Sequence, residues 1–440
     1  MKVMKFGGTS VGKPERMHHI VNLVNQQQEP AIVVLSALSG TTNALVEIGD
    51  YIAKGDRGMA KHSIDKLEAH YQDFISKLVQ KPEALAKAKA IVAEHFEFLN
   101  IILRISFSEA LNKDILAQGE LLSTKLFCVY LEEQGISHML LPALEFMTID
   151  HYDEPQIGSI KIKLGQLIKQ HADKKLFVTQ GYICRNARGE VDNLKRGGSD
   201  YSASLIAAAI NASVCEIWTD IDGMHNNDPR IVKKTVPVEQ MSFDEAAELA
   251  YFGAKILHPA SIWPAQTYNI PVRLLNTMDP EAKGTLITEK AGSVGVKAVA
   301  AKDNIIAIHI KSSRMLLAYG FLRKIFEIFE KYRTSIDMIT TSEVAVSLTI
   351  DSDANLKEIC KELEPFGTIE VDENQTIISV VGNEISKTED MVKKLFGSIL
   401  GIPVRMVSYG GSPHNISLLV PAAFKTQILQ QLNKGMFGLD

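Results

Sequence analysis

The sequence 5-KFGGTSVGKPE-15, close to the start of the 440-residue chain, is nearly a P-loop. It has the two glycines and the lysine at the right spacing, but Pro14 stands where a P-loop has the Ser or Thr that holds Mg²⁺. Proline has no N–H, and its fixed φ suits the first turn of a helix. The stretch therefore predicts a strand, a glycine turn and a helix that begins at about Pro14. Lys5, on the strand, is a better candidate phosphate ligand than Lys13, although a plain glycine turn with surface lysines fits the same letters.

The composition excludes several classes of protein. Hydrophobic residues make up 46% of the chain and charged residues 22%, which is ordinary for a globular protein of two or three domains. The net charge is −5 and no basic run contains interleaved aromatic residues, so we expect no nucleic acid partner. No apolar run approaches the roughly 18 residues of a membrane span, and the four cysteines form no CxxC pair. We therefore expect a cytoplasmic protein with reduced thiols and no membrane contact.

Short apolar runs alternate with helical patterns up to about residue 290. The runs are unbroken, which suits strands that are buried on both faces of a parallel sheet covered by helices. They comprise residues 2–6, 31–38, 138–144, 175–183, 213–220 and 270–276. Residues 56–135 have the pattern of successive helices, and Ser242 with Glu245 has the spacing of a capping box. An α/β domain is therefore predicted.

The pattern changes after a glycine-rich, polar segment at residues 279–295. A strand, a helix and two more strands are predicted from residue 304, and the same order returns from residue 376, a period of roughly 70 residues. We predict two copied α+β modules within residues 296–440. The first covers about 303–372 and the second about 373–440, with a possible extra strand from 296–301.

A second glycine cluster, 195-KRGGSDYSAS-204, leads into a helix of small residues. Ser199 or Asp200 can cap that helix, and its unpaired N–H groups would form an anion site beside Arg196. An ordinary helix cap next to a surface arginine is the alternative interpretation of the same letters.

Two further stretches carry polar residues at the ends of predicted elements. Residues 219-TDIDGMHNNDPR-230 follow a strand, where α/β folds place ligands, although an ordinary polar loop is the alternative because the acidic spacing does not fit an EF-hand. In 252-FGAKILHP-259, Lys255 lies in an apolar turn where an unpaired ammonium is costly. An anion should face Lys255 unless the side chain reaches solvent. We interpret His258 as a structural residue.

Two more motifs belong with these stretches, 34-VLSALSGTTN-43 and 118-QGELLST-124. In sequence and in order along the chain, all of them resemble the motifs of the aspartate kinases of the amino-acid kinase superfamily. The repeated modules resemble the tandem ACT domains of those enzymes, so the resemblance covers nearly the whole chain. It implies an amino-acid-kinase fold over residues 1–295, with a largely parallel sheet between helices. Two ferredoxin-like ACT modules over residues 296–440 would follow. The glycine turn is then a phosphate cradle of this family.

The resemblance also implies site residues. The catalytic residues would be Lys5, Asp200 and Lys255. The ATP site would comprise Lys5, Gly7, Gly8, Ser10, Thr219, Asp220, His225, Arg230 and Lys255. L-Aspartate would be bound by Thr42, Glu120, Arg196 and Ser199. Arg196 would meet the α-carboxylate and Glu120 the ammonium, while Mg²⁺ would arrive with ATP at Asp200 and need no dedicated metal cluster.

Two residues depart from the family pattern. His225 stands where relatives often have a tyrosine by the adenine, and Lys195 precedes Arg196 where glycine is familiar. Both departures concern nucleotide contact and loop shape rather than the reaction.

The chemistry agrees with these residue types. The side-chain carboxylate of aspartate has a reference pKa near 3.9, so the nucleophile is already ionised and needs no general base. Phosphoryl transfer depends on alignment and on stabilising charge, which lysines, glycine N–H groups and Mg²⁺ supply. The product would be 4-phospho-L-aspartate, the first intermediate of lysine, threonine and methionine biosynthesis.

Two other functions compete with this hypothesis. One is a related kinase that acts on glutamate, acetylglutamate or carbamate. The C-terminal repeat and the residues around Glu120 argue against this alternative. The other is a non-catalytic amino-acid sensor, which would have no need of Lys5, Asp200 and Lys255 together. We expect no fused homoserine dehydrogenase, because no GxGxxG unit follows the repeat.

The first module resembles the effector site of lysine-sensitive aspartate kinases, which implies feedback inhibition by L-lysine. Gly320, Phe321 and Leu322 open a predicted helix whose N–H groups can hold the effector carboxylate. Asp337, on the next predicted strand, offers a carboxylate for the effector amine. The other implied effector residues are Met315, Ser335 and Ser342.

Threonine remains a competing effector, because Leu317 and Ala318 are less polar than expected of a lysine-sensitive relative. We also expect a homodimer formed through the ACT modules, since each small sheet leaves an edge or a face that a second copy can cover.

Overall fold

A computed structural model describes residues 1–195, 197–253, 257–290, 292–312 and 319–440. The chain divides into two compact units, of which the first comprises Met1–Gly223 and Leu257–Glu289 and the second Met224–Ile256 and Lys290–Asp440. The units are thus not two successive segments, because residues 224–256 group with the C-terminal part of the chain. No helix among the described residues is both long and apolar enough to span a bilayer.

The first unit holds nine of the described strands and ten of the described helices. Its strands are β1 (Lys2–Phe6), β2 (Ala31–Leu35), β3 (Met139–Leu140), β4 (Leu176–Gln180), β5 (Ile183–Arg185), β6 (Val191–Asn193), β7 (Cys215–Thr219), β9 (Val272–Asn276) and β10 (Thr285–Thr288). Its helices are α1 (Gly8–Val11), α2 (Pro14–Asn25), α3 (Thr41–Ala53), α4 (Arg57–Leu78), α5 (Pro82–Ile102), α6 (Glu109–Glu133), α7 (Ala143–Phe146), α8 (Ile157–Gln170), α9 (Gly198–Ile210) and α11 (Pro259–Thr267). Strand β8 (Gln240–Ser242) and helix α10 (Phe243–Tyr251) belong to the second unit.

Seven of these strands form one sheet in the order β3-β4-β2-β1-β7-β9-β10. All neighbours are parallel except β9 and β10, which confirms the predicted, largely parallel sheet. The chain moves outward from β1 through β2 to one side and later returns to place β7 on the other side. Since α/β sheets bind ligands where the strand order reverses, at the carboxyl ends of the strands, the end of β1 is the expected position of a site.

Apolar packing on both faces of this sheet explains why its strands are unbroken hydrophobic runs. Every residue of β2 and β4 is buried. One face packs with α2 to α6 into a single core, while α9 contacts β1 and β2 on the other face and is itself covered by α8 and α11. The sheet is therefore sandwiched between helices.

Helix starts follow the local sequence signals closely. Helix α2 begins at Pro14, as predicted, and the capping box of Ser242 and Glu245 is formed in both directions at the start of α10. The glycine turn itself contains the short helix α1, which the sequence did not predict.

The second unit is built on an antiparallel sheet in the order β12-β13-β11-β14-β16-β15. Its strands are β11 (Gly295–Lys311), β12 (Ile339–Thr341), β13 (Ala345–Ile350), β14 (Thr368–Asn383), β15 (Met406–Ser412) and β16 (Asn415–Pro421). Its remaining helices are α12 (Phe321–Lys331), α13 (Leu356–Leu363), α14 (Met391–Ser398) and α15 (Lys425–Phe437).

Two long strands serve both repeated modules. Residues 305–311 of β11 pair with residues 368–375 of β14 in the first module, whereas residues 296–302 pair with residues 377–382 in the second. The possible strand from 296–301 is therefore present and completes the second module. Each module has its own apolar core, so the ferredoxin-like α+β fold is confirmed. Helices α13 and α15, one in each module, were not predicted.

Candidate active site

The glycine turn after β1 lets two chain segments approach closely. A Cβ built on Gly8 would lie 3.0 Å from the carbonyl oxygen of Ala37, and one on Gly12 would lie 2.7 Å from Cβ of Ser39. Larger residues would push away the loop that follows β2. Ser10 is buried, and its hydroxyl lies 2.8 Å from the hydroxyl of Thr277. The Ser10 side chain therefore packs inside the protein beneath the turn.

Lys5 on β1 forms an ion pair with Asp200 near the start of α9. Nζ of Lys5 lies 2.5 Å from Oδ1 of Asp200, and the two side chains are only 11% and 17% exposed. Nζ also lies 3.3 Å from the position that a Cβ on Gly7 would take, so a side chain at residue 7 would crowd the ammonium. The pair thus fixes a partly desolvated ammonium beside the glycine turn, where the chain order of the sheet reverses.

The N-terminus of α9 differs from the sequence expectation. Gly197 is the N-cap residue with φ 70°, and no side chain caps the helix, so the prediction that Ser199 or Asp200 caps it is wrong. Asp200 is instead engaged with Lys5, and Ser199 packs so closely on Gly181 that a Cβ on Gly181 would collide with its side chain. Arg196 lies outside the described residues. Its neighbour Lys195 pairs with Asp153.

Glu120 on α6 contributes a buried carboxyl group to the site. Its side chain is 3% exposed, and Oε1 accepts the N–H of Ala37 at 3.2 Å. Oε2 has no hydrogen-bond partner among the described residues. Burial raises the pKa of this carboxyl to about 8. Because Ala37 also contacts the glycine turn at Gly8, the loop after β2 joins the turn to Glu120.

Three residues around Glu120 gave no signal in the sequence. The hydroxyl of Thr41 lies 3.0 Å from that of the fully buried Tyr71, and Thr42 is the next residue along α3. Burial, and then the negative charge of Glu120, raises the pKa of Tyr182 to about 12. Burial likewise raises the pKa of Tyr71, so both tyrosines remain neutral beside Glu120. Isolated tyrosines in helical or strand patterns look like ordinary core residues, which is why the sequence did not reveal them.

Thr219 and Asp220 lie at the carboxyl end of β7, beside β1. The backbone N–H of Asp220 donates to the hydroxyl of Thr219 at 2.6 Å, and Thr219 holds Thr277 through a backbone hydrogen bond of 2.8 Å. The Asp220 side chain is exposed. The sheet thus brings these two residues to the same edge as the end of β1.

His225 and Arg230, also predicted for the ATP site, belong to the second unit. Nδ1 of His225 lies 2.8 Å from the hydroxyl of Thr235. The guanidinium of Arg230 donates to both carboxylate oxygens of Asp228, at 2.9 and 2.8 Å, and this hydrogen bonding lowers the pKa of Asp228. A phosphate or ribose would therefore have to share Arg230 with Asp228. Lys255 lies outside the described residues.

The neighbouring asparagines have a structural role that the sequence did not indicate. Asn226 and Asn227 are buried, and their amides donate to Asn433 and to the carbonyl of Leu429 on α15. They fasten residues 224–256 to the second unit.

The predicted effector residues surround the start of α12 and the segment before β12. Gly320 is the N-cap with φ 79°, and α12 begins at Phe321, as predicted. Asp337 precedes β12 by two residues rather than lying on it, and its side chain is 1% exposed. Leu322 is partly buried against the module core, Ser335 and Ser342 are exposed, and Met315 lies outside the described residues.

Comparison with known proteins identifies the family of the chain. Residues 1–276 match the model of the amino acid kinase family, and residues 378–435 match an ACT domain. The chain is 34% identical to lysine-sensitive aspartokinase 3 of Escherichia coli over 99% of both chains. It is 35% identical to the chloroplastic aspartokinase 3 of Arabidopsis thaliana, over 100% of this chain and 82% of the plant protein. The chain therefore belongs to the amino acid kinase family and, within it, to the aspartokinases.

Solved structures give the same result. The E. coli aspartokinase III complex with aspartate and ADP, described as the R-state, superimposes with a TM-score of 0.84 at 32% identity, covering 99% of this chain and 100% of that one. The complex of the same enzyme with lysine and aspartate, described as the T-state, gives a TM-score of 0.82 at 32% identity, covering 99% of each chain.

Proposed function

We propose that this protein transfers the γ-phosphoryl group of ATP to the side-chain carboxylate of L-aspartate, giving 4-phospho-L-aspartate and ADP. A carboxylate oxygen of aspartate forms a bond to the γ-phosphorus as the bond from that phosphorus to the β,γ-bridging oxygen breaks. No proton has to move, because the aspartate carboxylate is ionised at neutral pH. The observation that carries this proposal is the Lys5–Asp200 ion pair beside the glycine turn, at the point where the strand order reverses.

The ion pair, the glycine turn and Glu120 each have a role in this reaction. Lys5 offsets negative charge on the transferring group, and Asp200 holds its ammonium in place. The glycine turn lets phosphates approach the backbone. Glu120 supplies a buried carboxylate with one unpaired oxygen for the ammonium of aspartate. We assign Thr42 and Ser199, and Arg196 outside the described residues, to the same substrate.

Mg²⁺ would enter as MgATP. The described residues contain no group of three side chains that could enclose a metal ion, but Mg²⁺ commonly uses one or two carboxylates together with substrate phosphates. The partly buried Asp200 carboxylate fits that requirement. The ion would neutralise charge on the β- and γ-phosphates, while the protein's own groups position the two substrates.

Trapping the acyl phosphate with hydroxylamine tests the reaction directly. With MgATP we expect L-aspartate to give a hydroxamate, and L-glutamate, matched in charge but longer by one methylene, to give none. Hydroxamate from glutamate alone would identify a different kinase of the family. If neither amino acid reacts while lysine still binds, the protein is a sensor and the proposed reaction is wrong.

Domain roles and location complete the proposal. Residues 1–295 would carry catalysis and residues 296–440 regulation, although residues 224–256 fold with the regulatory unit. All four cysteines are unpaired, which fits the reducing cytoplasm.

L-Lysine is the proposed feedback inhibitor, bound in the first ACT module. The start of α12 at Gly320 can receive the effector carboxylate, because glycine leaves the backbone accessible and no side chain caps the helix. The buried Asp337 can receive an amine, and Oδ2 of its carboxylate has no hydrogen-bond partner among the described residues. The effector must bind the less active state more tightly, since equal affinity for both states would shift nothing.

The Asp337→Asn variant should therefore resist lysine. Removing the charged partner of a buried amine is expected to raise the half-inhibitory lysine concentration at least ~10-fold. Titrations with lysine and threonine in the hydroxamate assay measure this. Asp303→Asn is the matched control, because Asp303 is an exposed acid on β11 that pairs with Lys425. Unchanged lysine sensitivity in Asp337→Asn, or inhibition of the wild type by threonine alone, would contradict the assignment.

The homodimer through the ACT modules remains part of the proposal. The two modules already pair with each other through β11 and β14, so β12 and β15 are the edges that the described sheet leaves open. Ile339 on β12 is an exposed isoleucine at such an edge. A second copy that covers this edge would remove both the unpaired backbone groups and the apolar side chain from water.

Ile339→Lys is expected to shift the protein from dimer to monomer, because edge lysines oppose strand pairing. Light scattering over a concentration series measures the change. Ile101→Lys, on the exposed surface of α5, is the control and should stay dimeric. A point variant is preferable to truncation near residue 295, since truncation would strip residues 224–256 of the sheet that they pack on. A wild-type monomer, or a fully dimeric Ile339→Lys variant, would refute this interface.

A further inference from the structure

The carboxylate of Asp337 is already engaged by two donors from distant parts of the chain. Nζ of Lys302 donates to Oδ1 at 2.7 Å, and the hydroxyl of Tyr251 donates to the same oxygen at 2.6 Å. The ammonium of Lys302 also lies 4.5 Å from the centre of the Tyr251 ring and 3.0 Å from Asp351. A cation and a phenol therefore meet at the group to which we assign the effector amine.

Tyr251 is the last residue of α10, and this helix is fastened to the ACT sheet along one side. Glu245 pairs with Lys297 at 3.0 Å, both side chains being buried, and Glu248 accepts the amide of Asn415 at 3.0 Å. The three anchoring residues of α10 follow one another at steps of three, so they share one side of the helix. The contact of Tyr251 with Asp337 is thus the C-terminal anchor of α10.

The chain continues from this anchor directly into the FGAK motif. A Cβ on Gly253 would collide with the carbonyl of Ala301, next to Lys302 on β11, so the chain is held against the same strand. Gly253 has φ 123°, a conformation that other residues rarely adopt. Lys255 follows Tyr251 by four positions, outside the described residues, and four residues span at most roughly 14 Å.

We propose that Tyr251 is the positioning residue that couples occupancy of Asp337 by an effector amine to the chain segment leading to Lys255. The inference rests on the proposed effector role of Asp337. An ammonium forms a stronger, charge-assisted hydrogen bond to a carboxylate than a phenol does. An effector ammonium that binds the unpaired Oδ2 of Asp337 draws negative charge away from Oδ1. The hydrogen bond from Tyr251 to Oδ1, and with it the C-terminal anchor of α10, is therefore weakened when the amine is bound.

The weakened hydrogen bond supplies the difference in affinity that regulation requires. A bound effector can shift an equilibrium only by contacts that differ between the two states, and the Tyr251 hydrogen bond to Asp337 is such a contact. Because burial and the adjacent carboxylate raise the pKa of Tyr251, the phenol remains a donor at physiological pH. The coupling between effector binding and the segment that leads to Lys255 then depends on one hydroxyl group, which a single substitution removes.

The test uses the full-length protein with Tyr251→Phe and, as a matched control, Tyr332→Phe. Tyr332 also donates to a carboxylate at 2.6 Å in the same module, to Glu362. Calorimetry measures lysine binding, and the hydroxamate assay measures residual activity at saturating lysine. We expect Tyr251→Phe to bind lysine within about threefold of the wild type. Its activity at saturating lysine, as a fraction of its own activity without lysine, should rise about threefold or more above the wild-type fraction. The control should retain wild-type binding and inhibition.

Other outcomes separate the possible failures. Full inhibition of Tyr251→Phe at the same lysine occupancy overturns the coupling role. Loss of lysine binding in Tyr251→Phe also overturns it, because Tyr251 would then be a binding residue. If the wild type binds no lysine, the effector assignment has failed and the inference that rests on it falls as well. A lower melting temperature in Tyr251→Phe alone does not mimic the expected result, since binding must persist.

Discussion

Replacing Lys5 by alanine is expected to lower turnover by at least ~100-fold, the scale of losing one preorganised group that stabilises charge in the transition state. The side chain is 11% exposed and held by Asp200 at 2.5 Å, so little of its interaction is lost to solvent. The loss should appear mainly in kcat, because the ammonium is most valuable where charge develops on the transferring group. Steady-state kinetics with the hydroxamate assay measure both constants.

Two further variants make the Lys5 result interpretable. Lys2→Ala removes the other lysine of β1, which pairs with Glu216, and should leave kcat within a few-fold of the wild type. Because alanine at residue 5 leaves Asp200 without its partner, Lys5→Met, which keeps most of the volume, should show the same kinetic loss with less effect on the melting temperature. Turnover within a few-fold of the wild type in Lys5→Ala would remove Lys5 from the mechanism.

Glu120→Gln is expected to raise the KM for aspartate about 100-fold, as expected when one partner of a buried charge pair is removed. In the wild type, the proton held by Glu120 must leave before the carboxylate can pair with the ammonium of aspartate. Since burial raises this pKa to about 8, the affinity for aspartate should rise with pH up to that value. KM should fall by close to tenfold between about pH 6 and about pH 7, and less steeply up to about pH 8, in the wild type. This dependence should vanish in Glu120→Gln.

Calorimetry and measurements of folding stability detect the proton on the Glu120 carboxyl independently of the kinetics. Aspartate binding at about pH 7 should release protons, which is detected by repeating the titration in buffers of different ionisation enthalpy. The raised folded pKa means that the folded state binds more protons than the unfolded state between the two pKa values, so Glu120 costs stability as pH rises through that window. Glu120→Gln should therefore be more stable than the wild type near pH 8.

Glu133→Gln is the control for the Glu120 measurements. Glu133 is a second buried glutamate on α6, but its carboxylate accepts the N–H groups of Gln80 and Lys81. Its substitution should leave the KM for aspartate and its pH profile as in the wild type. A pH-independent KM in the wild type, or an unchanged KM in Glu120→Gln, would show that Glu120 does not bind the ammonium.

Local sequence patterns predicted the strands of the parallel sheet and the starts of two helices. Unbroken apolar runs predicted the strands of the parallel sheet, because a strand buried on both faces has no polar side to display. Pro14 predicted the start of α2, and Ser242 with Glu245 that of α10, because both signals act within one turn of a helix. The sequences of the motifs and their order along the chain indicated the family, and the repeat predicted the two ACT modules.

Other features depend on contacts between residues that are far apart in the chain, and only the tertiary structure decided them. Lys5 and Asp200 meet because β1 and the start of α9 converge on one edge of the sheet, and no local pattern encodes that pairing. The same convergence leaves Asp200 unavailable to cap α9, which is why that prediction was wrong. Glu120 acquires its raised pKa from the walls that enclose it, not from its neighbours in sequence.

The assignment of residues 224–256 was likewise beyond the sequence. Their helix α10 has an ordinary amphipathic pattern, and the sequence placed it with the catalytic domain. Its partners Lys297, Asn415 and Asp337 all come from the C-terminal unit, so packing assigns it there. The sequence determined which elements form, because propensity, capping and periodicity act over a few residues. The tertiary structure decided which charged groups meet and which remain unpaired, because burial and Coulomb interactions depend on distance in space rather than along the chain.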